Sequence, residues 1–208
     1  MRLRITFSKQ GALRYTGHLD LHTLLERAAR RANLPLAYSQ GFHPTPKIQL
    51  ASALPLGFSS RAEMMDMWLT TECELSQIRA DLQSTLPRDI QILNMEVVDD
   101  RAPALQTQLI AAEYEATLTE PASNLTSRLA ALSEAASLPR ERRGKTYDLR
   151  PLIESLEAAP ADGSGKWRIL MRLVAREGAT GRPEEVLSAL EIPSESARVE
   201  RTSLIFQG

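Results

Sequence analysis

Arg2-Leu3-Arg4-Ile5-Thr6-Phe7-Ser8 alternates apolar with polar side chains. A period of two puts Leu3, Ile5 and Phe7 on one face, which predicts a half-buried strand. Gly11 punctuates it, and the period then changes. From Gly17 onward, Leu21, Leu24, Leu25, Ala28 and Ala32 recur at helical spacing as far as Asn33-Leu34-Pro35. Asn suits a left-handed position just past a helix and Pro blocks continuation. Gly17 falls at the N-cap and Asp20 at N3, where a carboxylate meets exposed amides and the positive end of the helix dipole.

Outward from this strand and helix, residues 47–53 and 64–70 read as strands around the turn Leu54-Pro55-Leu56-Gly57. Leu75, Ile78, Leu82 and Leu86 mark a helix stopped by Pro87, and Ile90–Val98 is a further strand. The order β-α-β-β-α-β is the split unit of ferredoxin-like folds. A looser copy follows, with strands over 113–118, 144–149, 166–176 and Ala197–Phe206 and helices over 124–137 and 183–190. The expected class is therefore α+β, two tandem ferredoxin-like units of which the second is less regular. A basic N-terminal domain covers 1–98, a linker 99–112, where Asp99-Asp100-Arg101-Ala102-Pro103 breaks the pattern, and a C-terminal domain 113–208. Residues 158–165, with Pro160, Gly163 and Gly165, read as a surface loop.

The chain has 208 residues, 43% hydrophobic and 25% charged, a folded-protein composition that excludes disorder and collagen-like repeats. No apolar run reaches the roughly 18 residues of a membrane span. Met1-Arg2-Leu3-Arg4-Ile5 lacks the apolar segment of a secretory signal, so a cytoplasmic location without membrane contact is expected. Cys73 is the single cysteine. It supports neither an internal disulfide nor, alone, an iron–sulfur cluster or multi-cysteine zinc site, and no cofactor is expected.

The net charge of −1 is unevenly spread: residues 1–62 carry nine Lys/Arg against Asp20 and Glu26, a net of +7, and the remainder carries −8. The three histidines and five aromatics, Phe7, Tyr15, Tyr38, Phe42 and Phe58, share this segment. Cations neutralise phosphates and rings offer stacking faces, so this mixture suits a ligand with phosphates and bases. Arg27, Arg30 and Arg31 lie off the apolar stripe of the first helix and should face solvent. His18, His22 and Glu26 follow one another at i, i+4 and i+8. That spacing lacks the His-Glu-x-x-His pattern and a further nitrogen or sulfur ligand, so capping and surface roles are expected rather than a metal.

Tyr38-Ser39-Gln40-Gly41-Phe42-His43-Pro44-Thr45-Pro46-Lys47 is the most unusual stretch. Pro44 and Pro46 fix their own φ and push His43 and Thr45 towards extended conformations, while Gly41 permits a tight turn. Such a stiff loop loses little entropy on binding, and Tyr38, Gln40, Phe42, His43 and Lys47 are candidate ligand contacts. The alternative is a rigid connector whose Tyr38 and Phe42 pack on the sheet.

Gly17-His18-Leu19-Asp20-Leu21, the Tyr38 to Ile48 stretch, Ala53-Leu54-Pro55-Leu56-Gly57 and Glu63-Met64-Met65-Asp66 together resemble the radical-SAM-linked protein family, a domain of unknown function associated with B12-type radical SAM proteins. The resemblance continues through Ala112-Glu113-Tyr114, Arg143-Gly144-Lys145 and Asp148-Leu149-Arg150-Pro151, nearly the whole chain. Relatives often carry Ser where this chain has Gly17, which removes only a side-chain cap. The resemblance implies a radical SAM protein as partner, encoded beside or fused to such chains, and neighbouring ribosomal-protein and ribonuclease E/G genes point to RNA. This chain has no Cys-x3-Cys-x2-Cys motif, so it would be the substrate-handling component, and no catalytic residue is carried over.

A second basic cluster runs over residues 140–151, where Arg142, Arg143, Lys145 and Arg150 can grip phosphates and Gly144 allows close backbone approach. Glu63 with Asp66, and Asp99 with Asp100, read as exposed carboxylates. Met64, Met65 and Met67 read as packing, and Cys73 lacks a nearby histidine. These residues suggest RNA binding or substrate presentation without catalysis, and the resemblance implies that the chain does so as the partner of a radical SAM enzyme. The alternatives are a metal-independent ribonuclease-like enzyme using His18 or His43 beside Lys47, and a protein-only adaptor.

Overall fold

The opening alternation forms β1 (Arg2–Lys9), in a computed structural model that describes residues 1–142, 144–161 and 166–207. A short 3-10 turn, Gly11–Tyr15, leads into α1 (His18–Arg31), capped by Gly17 without a side-chain hydrogen bond. The helix ends as its sequence predicts. Asn33 adopts φ 52°, its N–H donates to Arg30 O (3.0 Å), and the Leu34 N–H donates to Ala29 O (3.2 Å), the paired bonds of a Schellman stop.

Next come β2 (Ile48–Leu50), β3 (Ser59–Trp68), α2 (Leu75–Thr85) and β4 (Ile90–Val98). β1 pairs antiparallel with both β3 and β4, and β2 pairs antiparallel with β3, which gives the strand order β4-β1-β3-β2. Leu3, Ile5 and Phe7 of β1 are buried with Leu21, Leu25, Ala28 and Ala29 of α1 and Ile78 and Leu82 of α2. Each large apolar side chain buried in this way contributes about 1.5–3 kcal/mol. Thr85 Oγ1 donates to Ala28 O (3.0 Å) and joins the end of α2 to α1.

Two boundaries differ from expectation in this unit. The strand expected over 47–53 shrinks to three residues because the chain turns at Ala51 and Ser52, and β3 begins five residues before position 64. Ser59 to Ala62 offer no apolar alternation, yet Lys9 pairs with Ser60 across a bulge and extends the ladder. The segment expected as a linker over 99–112 is structured. Leu105–Gln108 is a short helix, α3, Leu105 is buried, and Gln106 Nε2 donates to Leu50 O (2.6 Å). The division between the two compact units, Met1–Gln108 and Leu109–Gly208, falls at the end of α3.

The second unit runs β5 (Leu109–Leu118), α4 (Leu125–Glu134), a hairpin of β6 (Pro139–Arg142) and β7 (Lys145–Asp148), β8 (Ile153–Pro160), β9 (Trp167–Arg176), β10 (Ala179–Thr180), α5 (Pro183–Ala189) and β11 (Ala197–Phe206). β5 pairs antiparallel with β9 and β11, and β8 with β9, so the order is β8-β9-β5-β11. The surface loop expected over 158–165 is corrected at its start, because Ala158, Ala159 and Pro160 pair with Ile169, Arg168 and Trp167. Alanines carry no strand signature of their own, which hid this strand. Residues 162–165 lie outside the described residues. Among the described residues no helix is long and apolar enough to cross a membrane.

Candidate nucleic-acid interface

The Tyr38 to Lys47 stretch forms a pinned hairpin. At its foot the Ala37 N–H donates to Trp68 O (2.8 Å), the Trp68 N–H to Lys47 O (3.0 Å) and the Lys47 N–H to Ala37 O (2.8 Å). Above these, Tyr38 bridges Pro46, the Ser39 N–H donates to Thr45 O (2.8 Å), and the Thr45 N–H donates to Ser39 Oγ (3.0 Å). Prolines at 44 and 46 donate no hydrogen bond, so Thr45 and Lys47 carry the ladder on their side. Gly41, at φ 130°, turns the tip in a conformation that a side chain would strain.

The tip holds Phe42 at 102% exposure, with Gln40 and His43 also exposed. The expectation that Phe42 packs on the sheet is thereby set aside: the stem is held by backbone bonds and leaves the ring in water. Tyr38 is 40% exposed, and the Arg30 guanidinium lies 5.7 Å from its ring centre while pairing with Glu26 at 2.8 Å. Lys47 is exposed on the rim of a cleft of about 410 Å³ lined also by Ser39, Thr45, Gln49 and Trp68. Arg27 is exposed on α1. His18 is exposed in the first turn of α1, whereas His22 directs Nε2 to Ile48 O (3.1 Å). Among the described residues no three His, Cys, Asp or Glu side chains are grouped to hold a metal.

Several cations expected on this face serve the fold instead. Arg31 donates to Thr85 O (2.9 Å) at the end of α2. Arg2 is 2% exposed, bonds Asp66 through Nε (3.0 Å) and Nη2, and donates to the carbonyls of Asp99, Ala102 and Pro103. Arg4 donates to the same carboxylate at 3.0 and 3.1 Å. Lys9 is buried and donates to Thr16 O (3.1 Å). Asp66 and Glu63, expected as exposed acids, are both buried, and being three positions apart on β3 they lie on opposite faces of the strand. Met65 and Met67 are core, as expected.

In the second basic cluster, Arg150 is corrected from ligand contact to structural clasp. Its Nε and Nη2 donate to Ser133 O (3.1 and 2.7 Å) and its Nη1 to Ile153 O (3.1 Å). Arg142 and Lys145 face each other across the β6–β7 hairpin, and Arg143 lies outside the described residues. Sequence reasoning missed Arg182, which joins Arg142 and Lys145 around one cavity; no local pattern marks it, because only the tertiary fold brings it there.

Fold and site together define an α+β protein of two antiparallel-sheet units that displays a stiff aromatic and basic hairpin. The chain belongs to the family described as "Uncharacterized protein conserved in bacteria (DUF2344)", matched over residues 2–183. No curated protein matches it. Among solved structures it is similar to a chain of a Cbf5-Nop10-Gar1 complex, with a TM-score of 0.51 and 11% identity over 97% of this chain and 48% of that one. It is also similar to a chain of an H/ACA RNP bound to a substrate RNA containing 2'-deoxyuridine, with a TM-score of 0.46, 12% identity, and coverage of 96% and 46%. The chain thus spans about half the length of these solved chains, and at such identity the first likeness speaks for the fold alone.

Proposed function

We propose that this chain is a non-catalytic, cytoplasmic RNA-binding protein that presents RNA to a radical SAM enzyme, and that each of its units is a ferredoxin-like module. The strand orders β4-β1-β3-β2 and β8-β9-β5-β11, each with two connecting helices, support the module assignment. The radical SAM partner rests on the sequence resemblance. RNA rests chiefly on one observation: Phe42 stands wholly exposed at the tip of a stem fixed by backbone hydrogen bonds. A large ring held in water has no folding purpose there, and a base stacked on it contributes about 1–3 kcal/mol. Lys47 and the Arg30–Tyr38 pair lie along the same hairpin and α1, where phosphates and a second base find partners.

The test is titration of fluorescently labelled single-stranded RNA with the full chain and with two variants. Phe42→Ala is expected to weaken binding by about 1–3 kcal/mol, and the triple change Arg27→Gln, Arg30→Gln, Lys47→Gln to weaken it in a salt-dependent manner, with melting temperatures close to wild type. Equal affinity in all three proteins overturns the RNA face and favours a protein-only adaptor. Shortening of the bound RNA overturns the non-catalytic part and favours the nuclease alternative.

A further inference from the structure

The second unit contains a cavity of about 640 Å³ between the β6–β7 hairpin and the turn from β9 into β10. The hairpin register sets Arg140 opposite Tyr147 and Arg142 opposite Lys145, so by strand alternation these four share one face, and Glu141, opposite Thr146, takes the other. Directly opposed like charges destabilise a strand pair. Among the described residues neither Arg142 nor Lys145 is in an ion pair. Asp148 also lines the cavity, where its Oδ1 accepts the Leu138 and Arg150 N–H groups at 2.7 and 2.9 Å. Across the cavity stands Arg182, with Glu184 at 3.8 Å, and Leu152, Ala179 and the Tyr147 ring supply an apolar wall. Burial pushes the Tyr147 phenol above its ordinary 10.0, and Glu185 adds to this against the nearby arginines. At neutral pH the phenol is therefore a neutral donor that does not repel an anion.

We infer that this cavity binds a nucleoside 5'-phosphate, its phosphate between Arg142, Lys145 and Arg182 and its nucleoside against Tyr147, Leu152 and Ala179. An anion there relieves the opposed cations, and charge-assisted contacts from Arg grip phosphate oxygens two at a time. The volume lies in the range of about 300–1,000 Å³ that holds small organic ligands, and it is far larger than phosphate alone requires. The group is carried either by a free nucleotide or by the 5' end of an RNA strand. The inference is independent of the Phe42 hairpin, which lies in the other unit.

Calorimetric titration of the full chain with UMP, AMP, inorganic phosphate, and short oligoribonucleotides bearing a 5'-phosphate or a 5'-hydroxyl tests it. Nucleoside monophosphates or the 5'-phosphorylated strand are expected to bind more tightly than inorganic phosphate or the 5'-hydroxyl strand. Arg142→Gln and Lys145→Gln should each weaken UMP and AMP binding about tenfold. Preference for the free nucleotide or for the strand end identifies which source is bound. Absence of binding by every phosphate probe at millimolar concentration overturns the inference. So does binding that is unchanged in the folded Arg142 and Lys145 variants, or inorganic phosphate binding as tightly as UMP. Melting curves establish that the variants are folded, and the Arg142 and Lys145 variants, whose residues lie outside the Phe42 hairpin, separate failure here from failure of that hairpin.

Discussion

Asp66 is wholly buried and shared between Arg2 and Arg4, and it determines what the first strand can tolerate. Arg2 is equally buried, stacks at 4.8 Å over Trp68 and holds the carbonyls that follow β4. Removing the carboxylate strands a buried guanidinium. Asp66→Ala is expected to cost about 3–5 kcal/mol, whereas Arg4→Met, which leaves Asp66 paired with Arg2, should cost less. Urea unfolding followed by Trp68 fluorescence in a Trp167→Phe background reads both, since these are the two tryptophans of the chain. Asp148 gives a different signature. The Leu138 N–H first, and the Arg150 N–H second, hold its carboxyl below the ordinary 3.8. A depressed carboxylate stabilises the fold fully above its unfolded pKa and loses that contribution as pH falls through the folded one. The stability gap between wild type and Asp148→Asn should be constant near neutrality and shrink as pH drops below about 3.8, read by thermal melting at stepped pH. A gap that widens on acidification contradicts this sign.

At the scale of elements, two glycines around β10 separate space from backbone conformation. A Cβ on Gly181 would stand 2.7 Å from Leu152 O and 3.0 Å from Leu173 Cβ, neither of which is a flexible end. Gly178, at φ 77°, has open space around it. Gly181→Ala is expected to cost about 1–3 kcal/mol by overpacking, and Gly178→Ala about 1–2 kcal/mol from conformation alone. Trp167 fluorescence during urea unfolding measures both, and an unaffected Gly181→Ala protein contradicts the packing. The elements legible in the sequence were those with one strong period: β1, α1, α2 and β9 show it in their own residues, and Asn33 and Pro35 mark the stop of α1. β8 and α3 were hidden because their pairing partners, not their own alternation, establish them. The hairpin at 38–47 was legible as stiff, since its prolines and Gly41 act locally. The exposure of Phe42 was not, because it depends on what the stem packs against.

For the whole molecule, charge by unit replaces charge by segment. Met1–Gln108 carries 12 basic and 11 acidic residues, and Leu109–Gly208 carries 13 and 15. The +7 of residues 1–62 is therefore opposed within its own unit, and neither unit attracts nucleic acid through net charge. Arg2, Arg4, Lys9 and Arg31 are further engaged by Asp66 or by backbone carbonyls. Of the other five, Arg14 donates to the Tyr15 hydroxyl and Arg61 lies on β3, while Arg27, Arg30 and Lys47 stand on the hairpin and helix surface, with Arg30 shared with Glu26. Each phosphate neutralised on a single strand contributes about −0.7 to the slope of log affinity against log salt. Two to three contacts predict a slope of about −1.4 to −2.1, shallow for a nucleic-acid binder. Phe42→Ala should lower affinity without altering that slope, because stacking releases no counterions, while the triple Gln variant should flatten it towards zero. Titrations at three or more salt concentrations measure it. A slope several units steeper would place the phosphate contacts on cations other than these three and overturn the hairpin as the principal interface, even if RNA is bound.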